Sequence, residues 1–166
     1  LVTYVKLPAF IVTLGTMNIV FAITQLYSDA QTISGLPDSM LFLGNTFQVG
    51  NTSVAYGVVL MLALYAMMWF FLKETATGRH IYAVGNSPEA ARLTGIATNK
   101  VTCGIYTVAG LFYGIAALLS TARLGVGDPN AGQTDNLDSI TAVVLGGTSL
   151  FGGRGAIIGT LIGVLI

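Results

Sequence analysis

The side chains able to do chemistry in this chain are few, and their types suit holding a molecule better than breaking one. A single cysteine, Cys103, and a single histidine, His80, are present. No disulfide pair, Cys-rich zinc site or Cys-His nucleophile can be assembled from them. Cys103 reads as a small buried apolar residue, and His80, beside Arg79, as an interfacial or loop residue. No GxxxxGK[ST] phosphate loop occurs, so nucleotide hydrolysis of that kind is not expected here. No metal, cofactor or nucleic acid is expected. Asn51-Thr52-Ser53 matches a glycosylation sequon, a pattern short enough to recur by chance. What remains is hydrogen-bonding groups set in apolar stretches. On a helix of about 100° per residue, Thr13, Thr16 and Thr24 share one face, and Asn18 and Gln25 another. An unsatisfied amide is costly in hydrocarbon, so Asn18 and Gln25 are expected to face protein or a water-filled path. Two readings stay open: hydrogen bonding between helices, and lining a translocation path. Path candidates are Thr16, Asn18 and Gln25, joined by Gly147 and Thr148 further along.

The elements that would position these groups are dictated by composition. Of 166 residues, 54% are hydrophobic and 8% charged, and mean hydropathy is +0.77, which places the chain among membrane proteins. Charges are absent from Leu7 to Ser28, from Ser39 to Leu72 and from Val101 to Ala122. Each gap is long enough for the roughly 20 apolar residues that cross about 30 Å of hydrocarbon. Three spans are predicted, about Pro8 to Tyr27, Val54 to Leu72 and Val101 to Ala122. A fourth apolar region, Ser139 to Ile166, is interrupted by Gly152-Gly153-Arg154-Gly155. Ser139 to Phe151 is long enough for only half a crossing at 1.5 Å per residue, so a discontinuous helix is expected. Backbone freed at such a break must be satisfied by protein or water, as in transporters. Arg154 is then either a deep charge needing a partner or an interfacial anchor. Gly110 and Gly114, and Gly155, Gly159 and Gly163, recur at a spacing that lets helix backbones approach closely. The fold class expected is all-α: a polytopic integral membrane protein with three full spans and a Gly-interrupted fourth segment. With no initial Met, Lys6 just ahead of a span and an end inside a helix, residues 1–166 are expected to be part of a longer polytopic protein.

Charge distribution orients the spans. The connection from Lys73 to Lys100 also holds Arg79 and Arg92, whereas that from Ser28 to Ser53 holds Asp29 and Asp38 and no basic residue. Basic residues near short loops mark the cytoplasmic side. The 73–100 connection is therefore cytoplasmic, and the loop with Asp128, Asp135 and Asp138 lies outside despite Arg123. Trp69, Phe70 and Phe71 at the inner end of the second span, and Tyr27 at the outer end of the first, suit the interface. In the outer connection, Gly35, Pro37, Gly44, Asn45, Gly50 and Asn51 mark a series of turns, with one short helix over Ser39 to Leu43.

The cytoplasmic insert GRHIYAVGNSPEAARLTGI, Gly78 to Ile96, is compact, polar and helix-forming. Ser87 is a side-chain cap and Pro88 occupies the first helical position, where its missing N–H is no loss. Glu89 complements the helix dipole, Arg92 can pair with it, and Gly95 supplies a stop. A helix of two turns, about Pro88 to Thr94, is predicted, too short to be stable alone. A docking surface and an interfacial helix resting on lipid or its own bundle are both open.

Three stretches resemble the inner-membrane permease subunits of bacterial ABC importers for simple sugars, the ribose type: LPAFIVTLGTM at Leu7 to Met17, the insert at Gly78 to Ile96, and LDSITAVVLGGTSLFGGRGAIIGTLIG at Leu137 to Gly163. The resemblance covers nearly the whole chain. It implies that the helix with Ser87, Pro88, Glu89, Ala90, Ala91, Arg92 and Gly95 is a coupling helix seated in a cytoplasmic ATPase subunit. It further implies a second permease copy, a periplasmic sugar-binding protein on the outer loops, surrounding membrane lipid, and roughly the C-terminal half of a full permease. The function it implies is inward passage of a ribose-like monosaccharide across the inner membrane, with ATP hydrolysis left to the separate subunit. A permease for branched-chain amino acids, and a non-transport membrane structural or channel protein, are the alternatives.

Overall fold

A computed structural model describes residues 8–50, 52–150 and 152–166. Leu7 and Lys6 ahead of the first span, Asn51 of the sequon and Phe151 at the expected end of the half crossing lie outside them. The described residues form helices α1 (Ala9–Tyr27), α2 (Asp38–Leu41), a 3-10 turn at Phe42–Gly44, strands β1 (Thr46–Val49) and β2 (Thr52–Ala55), and helices α3 (Tyr56–Glu74), α4 (Ala76–Asn86), α5 (Pro88–Leu93), α6 (Thr98–Leu124), α7 (Asp135–Leu145) and α8 (Ile157–Leu165). The chain is all-α in class, with α1, α3 and α6 long and apolar enough to cross a membrane by length and composition. None of the three buries its apolar window inside the structure, so their side chains face outward as a bilayer solvent requires. The predicted spans are present within a few residues.

The chain divides into two compact units. One comprises the described residues through Val58 with Gly110–Ala131. Here the expected turns of the outer connection prove more regular than their sequence: β1 and β2 pair antiparallel, with Phe47 opposite Val54 and Gln48 opposite Ser53. Gly50, at φ +63°, turns the chain after β1, and β2 runs through Ala55 before the span begins. The Tyr56 ring is stacked on Phe42, centroids 5.1 Å apart, and tilted against Phe47 at 5.0 Å. Gly44 lies against the Ala122 carbonyl, leaving no room for a Cβ. The loop after α1 is held to the loop after α6, with Ile33 and Gly127 exchanging N–H···O bonds of 2.9 Å in both directions.

The other unit comprises Val59–Ala109 and Gly132–Ile166. At the end of α3, the Lys73 ammonium sits 4.8 Å from the centroid of the Trp69 ring, a cation–π contact that fits an interfacial helix end. The fourth apolar region is a hairpin: α7 and α8 pack along each other. An 11-residue α7 rises about 16 Å, half a hydrocarbon crossing. Its break begins earlier than the sequence suggests, at Gly146, and extends through the expected Gly152-Gly153-Arg154-Gly155 to the start of α8 at Ile157. Gly147, at φ +82°, bonds back to the Val144 carbonyl, and Thr148 bonds to that of Val143, which closes the helix. The expected close approach is realised at Gly159, whose Cα faces the Gly146 carbonyl, and at Gly163, which faces that of Ala142. In α6 it is not: a Cβ on Gly110 or Gly114 would meet nothing within 4 Å among the described residues.

One further expectation is corrected, at Cys103, and one is narrowed, at His80. Cys103 is exposed, not buried, because no described element covers that face of α6. His80 lies on a helix, α4, with its side chain exposed.

Candidate functional site

The insert is two helices, not one. α4 begins at a corner set by Thr75, whose hydroxyl accepts from the Gly78 N–H at 3.1 Å and donates to the Phe71 carbonyl at 2.6 Å. One hydroxyl thereby ends α3 and caps α4. Gly78 is buried because α4 folds back on the end of α3, where a Cβ would strike the Leu72 carbonyl. Gly78, Ile81, Tyr82 and Val84 face inward, while Arg79 and His80 are exposed. The sequence signals for α4 were the Thr75 cap and apolar residues at three- and four-residue spacing.

Ser87 ends α4 and starts α5. Its backbone is extended, φ −156° and ψ 101°, so the chain bends sharply there. The Ser87 N–H donates to the Ala83 carbonyl at 3.1 Å, and its hydroxyl accepts from the Ala90 N–H at 3.3 Å. This is the predicted cap, with Pro88 at the first turn. At the other end Gly95, at φ +87°, donates to the Arg92 carbonyl, and the Ile96 N–H bonds to that of Ala91. The predicted helix bounds hold to within one residue.

Only Ala91 of α5 is buried, at 4% exposure. Pro88, Glu89, Ala90, Arg92, Thr94 and Gly95 are exposed, so the helix leans on one small side chain and presents the rest. Glu89 and Arg92 form no ion pair with each other among the described residues, which leaves both charges available. Leu93, absent from the predicted contact set, is 86% exposed and projects beside Arg92. Six residues, one buried alanine and a cap at each end make a compact knob with mixed charge and an exposed leucine.

The path candidates fall in both units. On α1, Thr16 donates to the Val12 carbonyl at 2.8 Å, satisfying itself within the helix. Asn18 is exposed. Gln25 donates from Nε2 to Asn130 Oδ1 at 2.8 Å, tying the end of α1 to the loop after α6. In the other unit, Gly147 and Thr148 sit in the 146–156 turn of the α7–α8 hairpin, with the Thr148 side chain against Gly155. That turn rests on the end of α4. The Tyr82 hydroxyl donates to the Gly155 carbonyl at 3.1 Å, and Gly152 and Gly153 touch the backbone of Gly85 and Asn86. Arg154 is exposed, in a turn that rests on the end of α4 within the 73–100 connection. Among the described residues no group of three or more His, Cys, Asp or Glu could hold a metal ion.

Residues 1–166 match the family described as branched-chain amino acid transport system / permease component. The chain is 48% identical over 171 residues to the fructose import permease protein of Rhizobium meliloti, covering 100% of this chain and 48% of that protein. It is 41% identical over 168 residues to the ribose import permease protein of Bacillus subtilis, covering 100% and 51%. To the galactose/methyl galactoside import permease protein of Escherichia coli it is 35% identical over 170 residues, covering 100% and 51%. The chain thus spans about half the length of the curated relatives it matches. No solved structure matches it.

Proposed function

The chain belongs to the family of branched-chain amino acid transport system permease components, and on that premise we propose that it is part of the membrane subunit of an ABC importer that carries a simple, ribose-like sugar inward. It is a multi-pass protein of the bacterial inner membrane. The observation that carries the sugar reading is the identity of 48% and 41% to fructose and ribose import permeases across all or nearly all of the chain. In this reading residues 1–166 form roughly the C-terminal half of one permease domain, and 78–96 its cytoplasmic coupling loop.

The α5 knob is the part that meets the ATPase. Ser87 and Pro88 fix its start, Gly95 its end, and Ala91 seats it. Glu89, Ala90 and Arg92 face the ATPase cleft. Nucleotide binding closes the ATPase pair, the knob moves as a lever, and the spans alternate access to a central path. This subunit makes and breaks no bonds; hydrolysis belongs to the ATPase. A periplasmic sugar-binding protein delivers the cargo at the outer connections, a second permease copy completes the path, and membrane lipid surrounds the spans. Because the sugar arrives already selected, weak contacts from hydroxyl and amide groups suffice. Thr16, Asn18, Thr148 and the backbone at Gly147 supply such groups.

The family description itself favours a second reading, passage of branched-chain amino acids. The deciding experiment reconstitutes the full-length permease with its ATPase and offers binding proteins loaded with ribose, fructose, galactose or leucine. Stimulated ATP hydrolysis with a sugar-loaded protein is the expected result. Stimulation by the amino-acid-loaded protein alone would overturn the sugar reading.

A further inference from the structure

We infer that Tyr82 and Gly85 are positioning residues of transport: with Gly152 and Gly153 they form a stiff joint through which α5 moves the α7–α8 turn that carries Gly147 and Thr148. The joint rests on the reading of α5 as the ATPase-contacting element.

Backbone meets backbone here with no side chain between. A Cβ on Gly85 would lie 2.8 Å from the Gly153 nitrogen and 3.3 Å from its Cα. One on Gly152 would lie 2.7 Å from the Gly85 carbonyl oxygen, and one on Gly153 would lie 2.7 Å from the Asn86 Cα. Gly152 and Gly153 have φ of +88° and +73°, so the turn combines close contact with a shape that other residues adopt at a cost. The Tyr82 hydroxyl fixes the far side of the turn by its 3.1 Å bond to the Gly155 carbonyl, 73 positions away in sequence. These contacts hold the turn at several points along the last turn of α4.

Such a contact transmits displacement. Side chains absorb movement by changing rotamer; apposed backbones cannot, and packed interfaces shift as units rather than deform continuously. On one side, Gly85 is separated from α5 by only Asn86 and the bend residue Ser87, and the start of α4 is cornered against α3 at Leu72. On the other, Gly155 packs on Thr148, since a Cβ there would be 2.9 Å from Thr148 Cγ2 and 3.0 Å from Oγ1. Thr148 follows Gly147, where α7 closes. A push on α5 is therefore carried through α4 to the turn by apposed backbone, and on to the hairpin through Gly155 and the Thr148 side chain.

The test uses the full-length permease with its ATPase and binding protein in proteoliposomes, in a Cys103→Ala background. Two quantities are read: sugar taken up per ATP hydrolysed, and crosslinking from Glu89→Cys to the ATPase. Gly85→Val wedges the joint, and Tyr82→Phe removes only the hydroxyl. Both are expected to keep the crosslink while uptake per ATP falls, by about five-fold or more for Gly85→Val, the lower end of ordinary coupling between sites. Unchanged uptake per ATP in both variants, with the crosslink present, would overturn the joint and leave the reading of α5 standing. No crosslink in the parent protein would overturn that reading instead. Tyr82→Phe preserves ring packing, so it decides the matter even where Gly85→Val fails to assemble.

Discussion

Gln25 Nε2 donates to Asn130 Oδ1 across 2.8 Å, joining the end of α1 to the loop that follows α6. Beside it, Ile33 and Gly127 bond to each other in both directions, so the amide pair is one stitch in a seam between two loops. Of the two roles open to Gln25 from sequence, joining elements therefore has a partner in the structure. Hydrogen bonds of this kind contribute about 0.6 kcal/mol on average in membrane proteins, with an upper range near 1.7. A double-mutant cycle with Gln25→Leu and Asn130→Ala in the full-length protein is expected to give a coupling of about that size in thermal stability, with the sugar KM unchanged. A shifted KM with additive stabilities would return Gln25 to the path.

The Ser87 hydroxyl supplies one of the few bonds that hold a six-residue helix. Ser87→Ala removes the cap at a cost of about 1 kcal/mol. Since α5 buries only Ala91, that loss is felt locally. Hydrogen exchange at the Ala90 and Ala91 amides is expected to quicken by about five-fold, the equivalent of that cost, with little change in α1 or α6. Equal exchange in parent and variant would show that α5 is held by other contacts.

What could be read from sequence divides along a physical line. The three spans and the caps of α5 are set by local chemistry: long gaps between charges, a serine before a proline, a glycine after the last turn. They appear as expected. The β1–β2 hairpin is not legible in sequence beyond its turn residues, because four-residue strands such as Thr46–Val49 carry too little alternation. Where the break in the fourth region starts is not legible, because two glycine pairs, Gly146-Gly147 and Gly152-Gly153, could each end α7, and the packing of α8 on Gly146 marks the first. The contact of Tyr82 is not legible in sequence because its partner is 73 residues distant. Cys103 was expected to be buried from residue type alone, an argument suited to a water-soluble core and not to a chain whose apolar faces point outward.

Gly159 and Gly163 are where the hairpin admits no side chain. A Cβ on the first would run into the Gly146 carbonyl, and on the second into that of Ala142. Both obstacles are backbone, so relief requires α7 and α8 to separate. Gly159→Val is expected to lower stability by about 1–3 kcal/mol, the usual range for overpacking, read as an earlier thermal transition of the detergent-purified full-length protein. An unchanged transition would mean that the hairpin opens freely.

Leu93 offers the cleanest separation between folding and docking. At 86% exposure it contributes little to the permease itself, so replacing it is expected to alter stability by under about 0.5 kcal/mol. A leucine side chain buried on association, by contrast, stabilises the complex by about 1.5–3 kcal/mol. If the α5 knob seats in an ATPase cleft, Leu93→Ala should weaken ATPase association on the order of ten-fold, and Leu93→Asp more, because a carboxylate would have to be desolvated in the same place. Glu89 and Arg92, exposed on the same helix, would then govern salt dependence and association rate more than affinity. Titrating the purified ATPase against full-length permease in detergent measures this directly, and the thermal transition of the same samples checks that the fold is intact. Equal affinity for the parent and both variants would exclude Leu93 from the contact and shift it to the charged residues of α5.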